Sequence, residues 1–385
     1  MPTTRWLTCP ALLALTLVIA PLAWPAPKYK VMHSFTGGND GEILYGSLLL
    51  DSQGNAYGTT YGGARNGGTV FELTQDKHGR WSETTLYAFC SQQDCIDGAL
   101  STAGLIFDTS GNLYGTTKLG GTYARGTAFE LIPRGGGTWS ETVIYSFDQG
   151  PIEPNAGVIM DPSGNLYGTA GDAFELSPGA GGWTLTDLDK TAGPAGLIRD
   201  EEGNLYGTTE YGGGSKECGD GCGTVLRLHP KPDGGWQETI LHSFSGAWWD
   251  GAYPGPGALA RDSKGNLYGT TSITVFELTP LTRWRWRFTL LYSISGEPFA
   301  GVVRDEAGNL YGTTGDGGSE GCGTIFKLSP TKGGGQWKYK LLHTFQGYDG
   351  CYPAANLILD SKGNLYGTTE LGGALGVGVA FELTP

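Results

Sequence analysis

Four Asp-Gly pairs, at Asp40, Asp97, Asp250 and Asp349, stand where loops could present a carboxylate, and two of them have aromatic neighbours. Trp248, Trp249 and Tyr253 surround one, and Tyr348 and Tyr352 the other, while Tyr45, Tyr61, Tyr123 and Tyr211 fall in comparable segments. Carboxylates beside flat rings suit saccharide recognition, the acid accepting hydroxyl hydrogen bonds and the ring covering a C–H face. A pair of such acids also suits cleavage of a glycosidic bond, at separations of about 5 Å or about 6.5 to 9.5 Å for retaining and inverting chemistry. The same pairs fit a structural use, because Asp opens a turn and Gly supplies its positive φ. Trp248 and Trp249 have no counterparts in the other repeats, so they read either as a binding platform or as packing.

Other chemistries are poorly served. His33, His242 and His343 occupy a strand position held elsewhere by Tyr87, Tyr145 and Tyr292, which places them on an outer rim, and His78 and His229 fall near turns on the opposite side. No histidine is therefore expected beside the candidate loops, which weakens His-based triads, His-ligated metals and His-dependent lyase chemistry. HExxH, P-loop and CxxC patterns are missing from the chain, and no spacing suggests an EF-hand, so neither cofactor nor metal is expected. A net charge of −13 disfavours nucleic-acid backbones and anionic membranes as partners.

The elements that must position these loops come from one phrase. GNLYGTT or a close variant occurs seven times, with its asparagine at Asn55, Asn112, Asn165, Asn204, Asn266, Asn309 and Asn364. The period is roughly 50 residues, as in propeller blades. Each unit predicts four strands, A to D, at 104–108, 112–117, 127–132 and 139–147 in the second unit. The A–B turn is DxxGN in every unit, and its aspartates (Asp51, Asp108, Asp161, Asp200, Asp262, Asp305, Asp360) are expected to be structural. Variation is confined to the D–A and B–C connections, which emerge together on one face, where function is expected to lie.

The last unit stops after strand C, and residues 28–35, KYKVMHSF, match the sixth unit's fourth strand, KYKLLHTF, at five of eight positions. The expectation is an all-β, seven-bladed β-propeller of four antiparallel strands per blade, closed by residues 28–35 joining the C-terminal blade and so free of exposed sheet edges. A parallel β-solenoid would not require this circular arrangement.

Arg5, the apolar run at 11–20 and small residues at Ala23 and Ala26 read as an export signal over 1–26, leaving 27–385 as a single propeller domain. The run is too short to span a membrane, although retention as an anchor is an alternative to cleavage. Six cysteines then remain, all in the variable loops, and export favours their oxidation: Cys90–Cys95, Cys218–Cys222 and Cys322–Cys351.

With GNLYGTT, the DxxGN turn and the downstream FELTP and WxET, residues 28–385 resemble the GloVer tandem-repeat family of exported bacterial proteins. The resemblance implies a secreted, propeller-like protein, often with a C-terminal surface anchor, and no established activity. The chain ends on the strand motif itself, which favours a soluble exported protein. The reading is therefore a secreted or periplasmic monomer that binds an extracellular carbohydrate or protein through the D–A and B–C loops. The alternatives are a glycan-active hydrolase or lyase using carboxylates and tyrosines of that face, or an extracellular scaffold.

Overall fold

The computed structural model describes residues 26–148, 153–189, 196–232, 234–331 and 336–385. The expected leader lies outside them, apart from Ala26. Seven four-stranded antiparallel sheets form the blades of a β-propeller, each running from an innermost strand A to an outermost strand D. Blades 1 to 3 run from Leu49–Leu50 to Trp81–Ala88, from Ile106–Phe107 to Thr138–Ser146 and from Ile159–Met160 to Gly182–Asp189. Blades 4 to 6 run from Ile198–Arg199 to Trp236–Ser243, from Ala260–Arg261 to Arg285–Ser293 and from Val303–Arg304 to Lys338–Thr344. Blade 7 takes Ile358–Leu359, Leu365–Thr369 and Val379–Thr384 from the end of the chain and its outer strand, Lys28–Ser34, from the beginning. That strand pairs in register from Lys28 opposite Thr384 to Ser34 opposite Val379, with a bulge between Val31 and His33.

Every part of the repeated phrase has a packing task. In LYGTT the strand is wholly buried, and its glycine faces the phenylalanine of the neighbouring C strand, as Gly58 faces Phe71 and Gly115 faces Phe129. A Cβ on Gly115 would lie 2.6 Å from the Phe129 ring, so only glycine lets the ring lie across the strand. Blade 4 is the exception: Gly207 faces Leu226, and its nearest neighbour would be Leu197 at 3.0 Å.

The two threonines divide their work. The second braces the B–C connection, as in Thr117 to Thr127 at 2.8 Å and Thr314 to Thr324 at 2.9 Å. The first reaches the next blade: Thr59 Oγ1 donates to the Ala103 carbonyl at 2.7 Å, Thr270 to Ala300 at 2.8 Å, and Thr368 to Gly46 at 3.1 Å across the closing seam.

The DxxGN aspartates are structural, as expected. Asp161 Oδ1 accepts the N–H groups of Ser163 at 2.8 Å and Asn165 at 3.0 Å, while Oδ2 accepts Asn165 Nδ2 and the Tyr167 hydroxyl. The same pattern recurs at Asp262 and Asp360.

The innermost strands are shorter than expected, two residues such as Ile106–Phe107 rather than residues 104–108. Around the axis, backbones of adjacent blades crowd together, and a Cβ on Gly104 would come within 3.1 Å of the Ser47 carbonyl. The chain therefore pairs briefly and turns outward, and these strands are half-buried.

Two outcomes follow from this packing. Gly115→Ala should cost about 1–3 kcal/mol through overpacking against Phe129, and Gly207→Ala less than half as much, both read by urea denaturation. Burial alone would raise the carboxyls of Asp161, Asp262 and Asp360, but hydrogen bonds from the asparagine four residues on, the N–H two residues on and the strand tyrosine together outweigh it and leave them below the ordinary carboxylate value. With unfolded values near about 3.9, their stabilisation is fully present above about pH 4 and lost as pH falls through the depressed folded values. The urea midpoint should therefore drop between about pH 4 and pH 2; a flat profile there would contradict this assignment.

Candidate functional site

The four Asp-Gly pairs all lie at the root of D–A loops. Asp97 and Asp250 are 0% and 1% exposed, Asp349 is also buried and Asp40 is half-buried. Each carboxylate closes its own loop by accepting an upstream N–H: Thr36 to Asp40 at 3.0 Å, Ser91 to Asp97 at 2.8 Å, Ser245 to Asp250 at 2.6 Å and Gln346 to Asp349 at 2.7 Å. The following glycine presses on the next blade's second threonine: a Cβ on Gly251 would lie 2.2 Å from Thr271 Oγ1.

Each aspartate also meets the end of its D strand. His33 Nε2 lies 3.1 Å from Asp40, His242 Nε2 2.7 Å from Asp250 and His343 Nε2 3.0 Å from Asp349, while the Tyr87 hydroxyl donates to Asp97 at 2.8 Å. The expectation that no histidine stands beside the variable loops is therefore corrected. These three do occupy the rim strand, but its last residues rise to the loop face. Their rings are packed, with Tyr29 stacked on His343 at 3.8 Å and Phe288 on His242 at 4.6 Å. Burial lowers the affinity of His343 for its proton, against the pull of Asp349. His229, as expected, lies at the opposite face, hydrogen-bonded to Asn204 at 2.9 Å.

The loops are tied to one another. Tyr253 and Tyr352 adopt positive φ, 52° and 55°, which is costly for a side chain with a Cβ and is held by surrounding contacts. Their N–H groups donate to the carbonyls of Cys222 at 2.9 Å and Cys322 at 3.0 Å in the preceding blade's B–C loop. Disulfides join Cys90 to Cys95, Cys218 to Cys222 and Cys322 to Cys351, the last linking two loops of adjacent blades. On this framework Trp248 and Tyr348 are 73% and 75% exposed, with Trp249, Tyr253 and Tyr352 partly so. Tyr211 meets Tyr253 edge to face at 5.9 Å.

A cavity of about 600 Å³ lies at the centre of this face, walled by the segments that lead into the inner strands. None of the four Asp-Gly aspartates lines it, nor do Trp248, Trp249, Tyr253, Tyr348 or Tyr352. Its polar and aromatic groups include Tyr45, Tyr61, Lys118, Asn155, Asn356 and Glu370, with Phe299 beside them. The Tyr45 hydroxyl donates to Glu370 Oε1 at 3.1 Å across the seam between blades 1 and 7, and Tyr61 packs edge to face on Tyr45 at 5.5 Å. Burial first, and then the Glu370 charge, push the Tyr45 hydroxyl up to about 12. Lys118 Nζ lies 4.0 Å from Glu153.

Tyr61, Lys118 and Glu370 share one address, the residue immediately after the YGTT phrase. The other blades place Gly171, Glu210, Ser272 and Gly315 there. Tyr45 and Tyr61 were grouped with other loop tyrosines by sequence, whereas Lys118, Glu370, Asn155 and Asn356 were missed. Comparing that single address across the seven units would have found Lys118 and Glu370.

A second hollow, of about 520 Å³, lies on the rim between blades 1 and 2 and includes Glu141. Burial, then the charge of Asp97, push its carboxyl up to about 7. Among the described residues no group of three or more His, Cys, Asp or Glu side chains converges to hold a metal ion, and no helix is long and apolar enough to cross a membrane.

Comparison with known proteins agrees with this architecture. The virginiamycin B lyase of Staphylococcus aureus superposes with a TM-score of 0.57 at 13% identity, covering 93% of this chain and 99% of that one. The extracellular domain of a one-component system from B. thetaiotaomicron gives 0.59 at 13% identity, covering 94% of this chain and 42% of that one. A Lactobacillus plantarum protein gives 0.52 at 15% identity, covering 90% and 99%. At such identities the likeness is one of fold. No curated protein sequence matches the chain. The sequence profile of the Gloeobacter/Verrucomicrobia repeat matches residues 19–180 and 272–385, more than half of the chain, which therefore belongs to that repeat family.

Proposed function

We propose that the protein is an exported lectin-like propeller that binds an extracellular carbohydrate through its D–A and B–C loop face. The observation that carries this reading is the central cavity, where Tyr45, Tyr61, Lys118 and Glu370 from different blades meet in a concave wall of small residues. Tyrosine rings provide faces for sugar C–H groups, and the carboxylate, ammonium and amide groups provide hydroxyl partners. Trp248, Trp249, Tyr253, Tyr348 and Tyr352 form an outer platform that extends contact along a longer chain. Asp40, Asp97, Asp250 and Asp349 support it by holding the loops in shape. Three disulfides in these loops fit an oxidising compartment, and the protein acts there as a monomer.

A glycan array followed by titration calorimetry tests the reading. Tyr61→Ala or Glu370→Gln should weaken a saccharide hit by about tenfold or more, in line with the loss of a hydrogen bond to a charged group or of a stacked ring. Trp248→Ala should weaken longer oligosaccharides more than short ones. Unchanged affinity in both cavity variants would overturn the assignment. Capture of a protein ligand with no saccharide hit would favour protein binding, and release of shortened glycan from a polysaccharide panel would convert the reading to a hydrolase or lyase.

A further inference from the structure

On the face opposite the loops, the blade 4–5 interface breaks the repeat. Strand C reads FEL in five blades, and its glutamate (Glu72, Glu130, Glu175, Glu277 or Glu382) accepts the hydroxyl of the LYGTT tyrosine, as Tyr57 to Glu72 at 2.7 Å and Tyr114 to Glu130 at 2.7 Å. Blade 6 has Lys327 at this address, over the Tyr311 ring at 5.1 Å, and blade 4 has Arg227, paired across the sheet with Tyr206 and Thr239. A cation thus replaces an anion inside a protein whose net charge is −13.

Arg227 is only 7% exposed, and its buried Nε and Nη2 have no hydrogen-bond acceptor among the described residues. Those two N–H groups form one edge of the guanidinium plane, the fork that matches the two oxygens of a carboxylate, phosphate or sulfate. A buried cation without an acceptor is destabilising, and a bound anion would relieve that penalty.

Among the described residues, nearby acids are engaged elsewhere. Asp200 is committed to its turn, accepting Glu202 N at 3.0 Å, Asn204 N at 2.8 Å, Asn204 Nδ2 at 2.8 Å and the Tyr206 hydroxyl at 3.0 Å. Glu201 pairs with Arg261 at the surface, 3.1 Å apart. Arg283 donates to His229 Nε2 at 3.0 Å and brings a further positive charge. At the tip of the blade 5 C–D hairpin, Trp284, 57% exposed, lies 5.8 Å from the Arg227 guanidinium and carries Arg283 at 5.1 Å.

We infer that the Nε–Nη2 edge of Arg227 is an oxyanion-binding site between blades 4 and 5, reached past Trp284 and taking a carboxylate, phosphate or sulfate group. The site is independent of the cavity on the loop face. An acidic saccharide and free inorganic phosphate present the same chemistry, so both serve as probes.

Thermal unfolding and calorimetry of the full-length exported chain are measured in phosphate, in an oligouronate and in chloride at matched ionic strength. Phosphate should raise the wild-type midpoint above the chloride value. Arg227→Lys, which keeps the charge but loses the fork, should bind phosphate about tenfold or more weakly. Arg227→Glu, which restores the residue of five other blades, should fold and lose the response. A response to phosphate alone identifies a free-anion site, and a response to both identifies an acidic glycan as a ligand. A wild-type midpoint no higher than in chloride, or equal responses in wild type, Arg227→Lys and Arg227→Glu, would overturn the inference.

Discussion

Pairing of Lys28–Ser34 with Val379–Thr384 is the constraint on which the rest of the molecule depends. Without it the last blade would end on an unpaired C strand, a free edge of the kind natural sheets cover or avoid. With it, the interblade hydrogen bonds made by the first threonine of the phrase extend back to blade 1, Thr368 reaching Gly46 across the seam. The same seam brings Glu370 against Tyr45, two residues at opposite ends of the sequence. Closure therefore completes the fold and also assembles the central polar group of the candidate site.

The division of labour within the repeat follows from this geometry. Leu, Tyr, Gly and the two threonines of LYGTT are each consumed by packing within a blade or against the next. Their uniformity reflects the seven equivalent interfaces they build. The residue that follows them is released from that duty at the mouth of the cavity, and there the blades present Tyr61, Lys118, Gly171, Glu210, Ser272, Gly315 and Glu370 in turn. Arg227 is a departure of another kind, because it occupies an address that packing uses in five other blades.

Most of the fold was legible in the sequence because it is local and repeated. DxxGN announces its turn, and KYKVMHSF matches a D strand closely enough to reveal ring closure. The lengths of the inner strands were not legible, since crowding of backbones at the axis is set by seven blades together rather than by any one motif. The Asp-Gly pairs were visible as loop features, but their use depends on a partner from the preceding strand, such as His242 for Asp250, that sequence spacing had assigned to a different surface. Lys118 and Glu370 were hidden because each looks like an ordinary loop residue until the ring sets it beside side chains from other units.

Hydrogen exchange read by mass spectrometry, comparing the intact chain with one lacking residues 28–35, tests most directly whether closure governs the whole ring. The account predicts that loss of the closing strand lowers protection beyond blade 7, reaching the B and C strands of blade 1 across the seam and the segments that wall the cavity around Tyr45 and Gly46. Loss of protection confined to Val379–Thr384 and its own blade, with blade 1 and the cavity wall as protected as before, would contradict it.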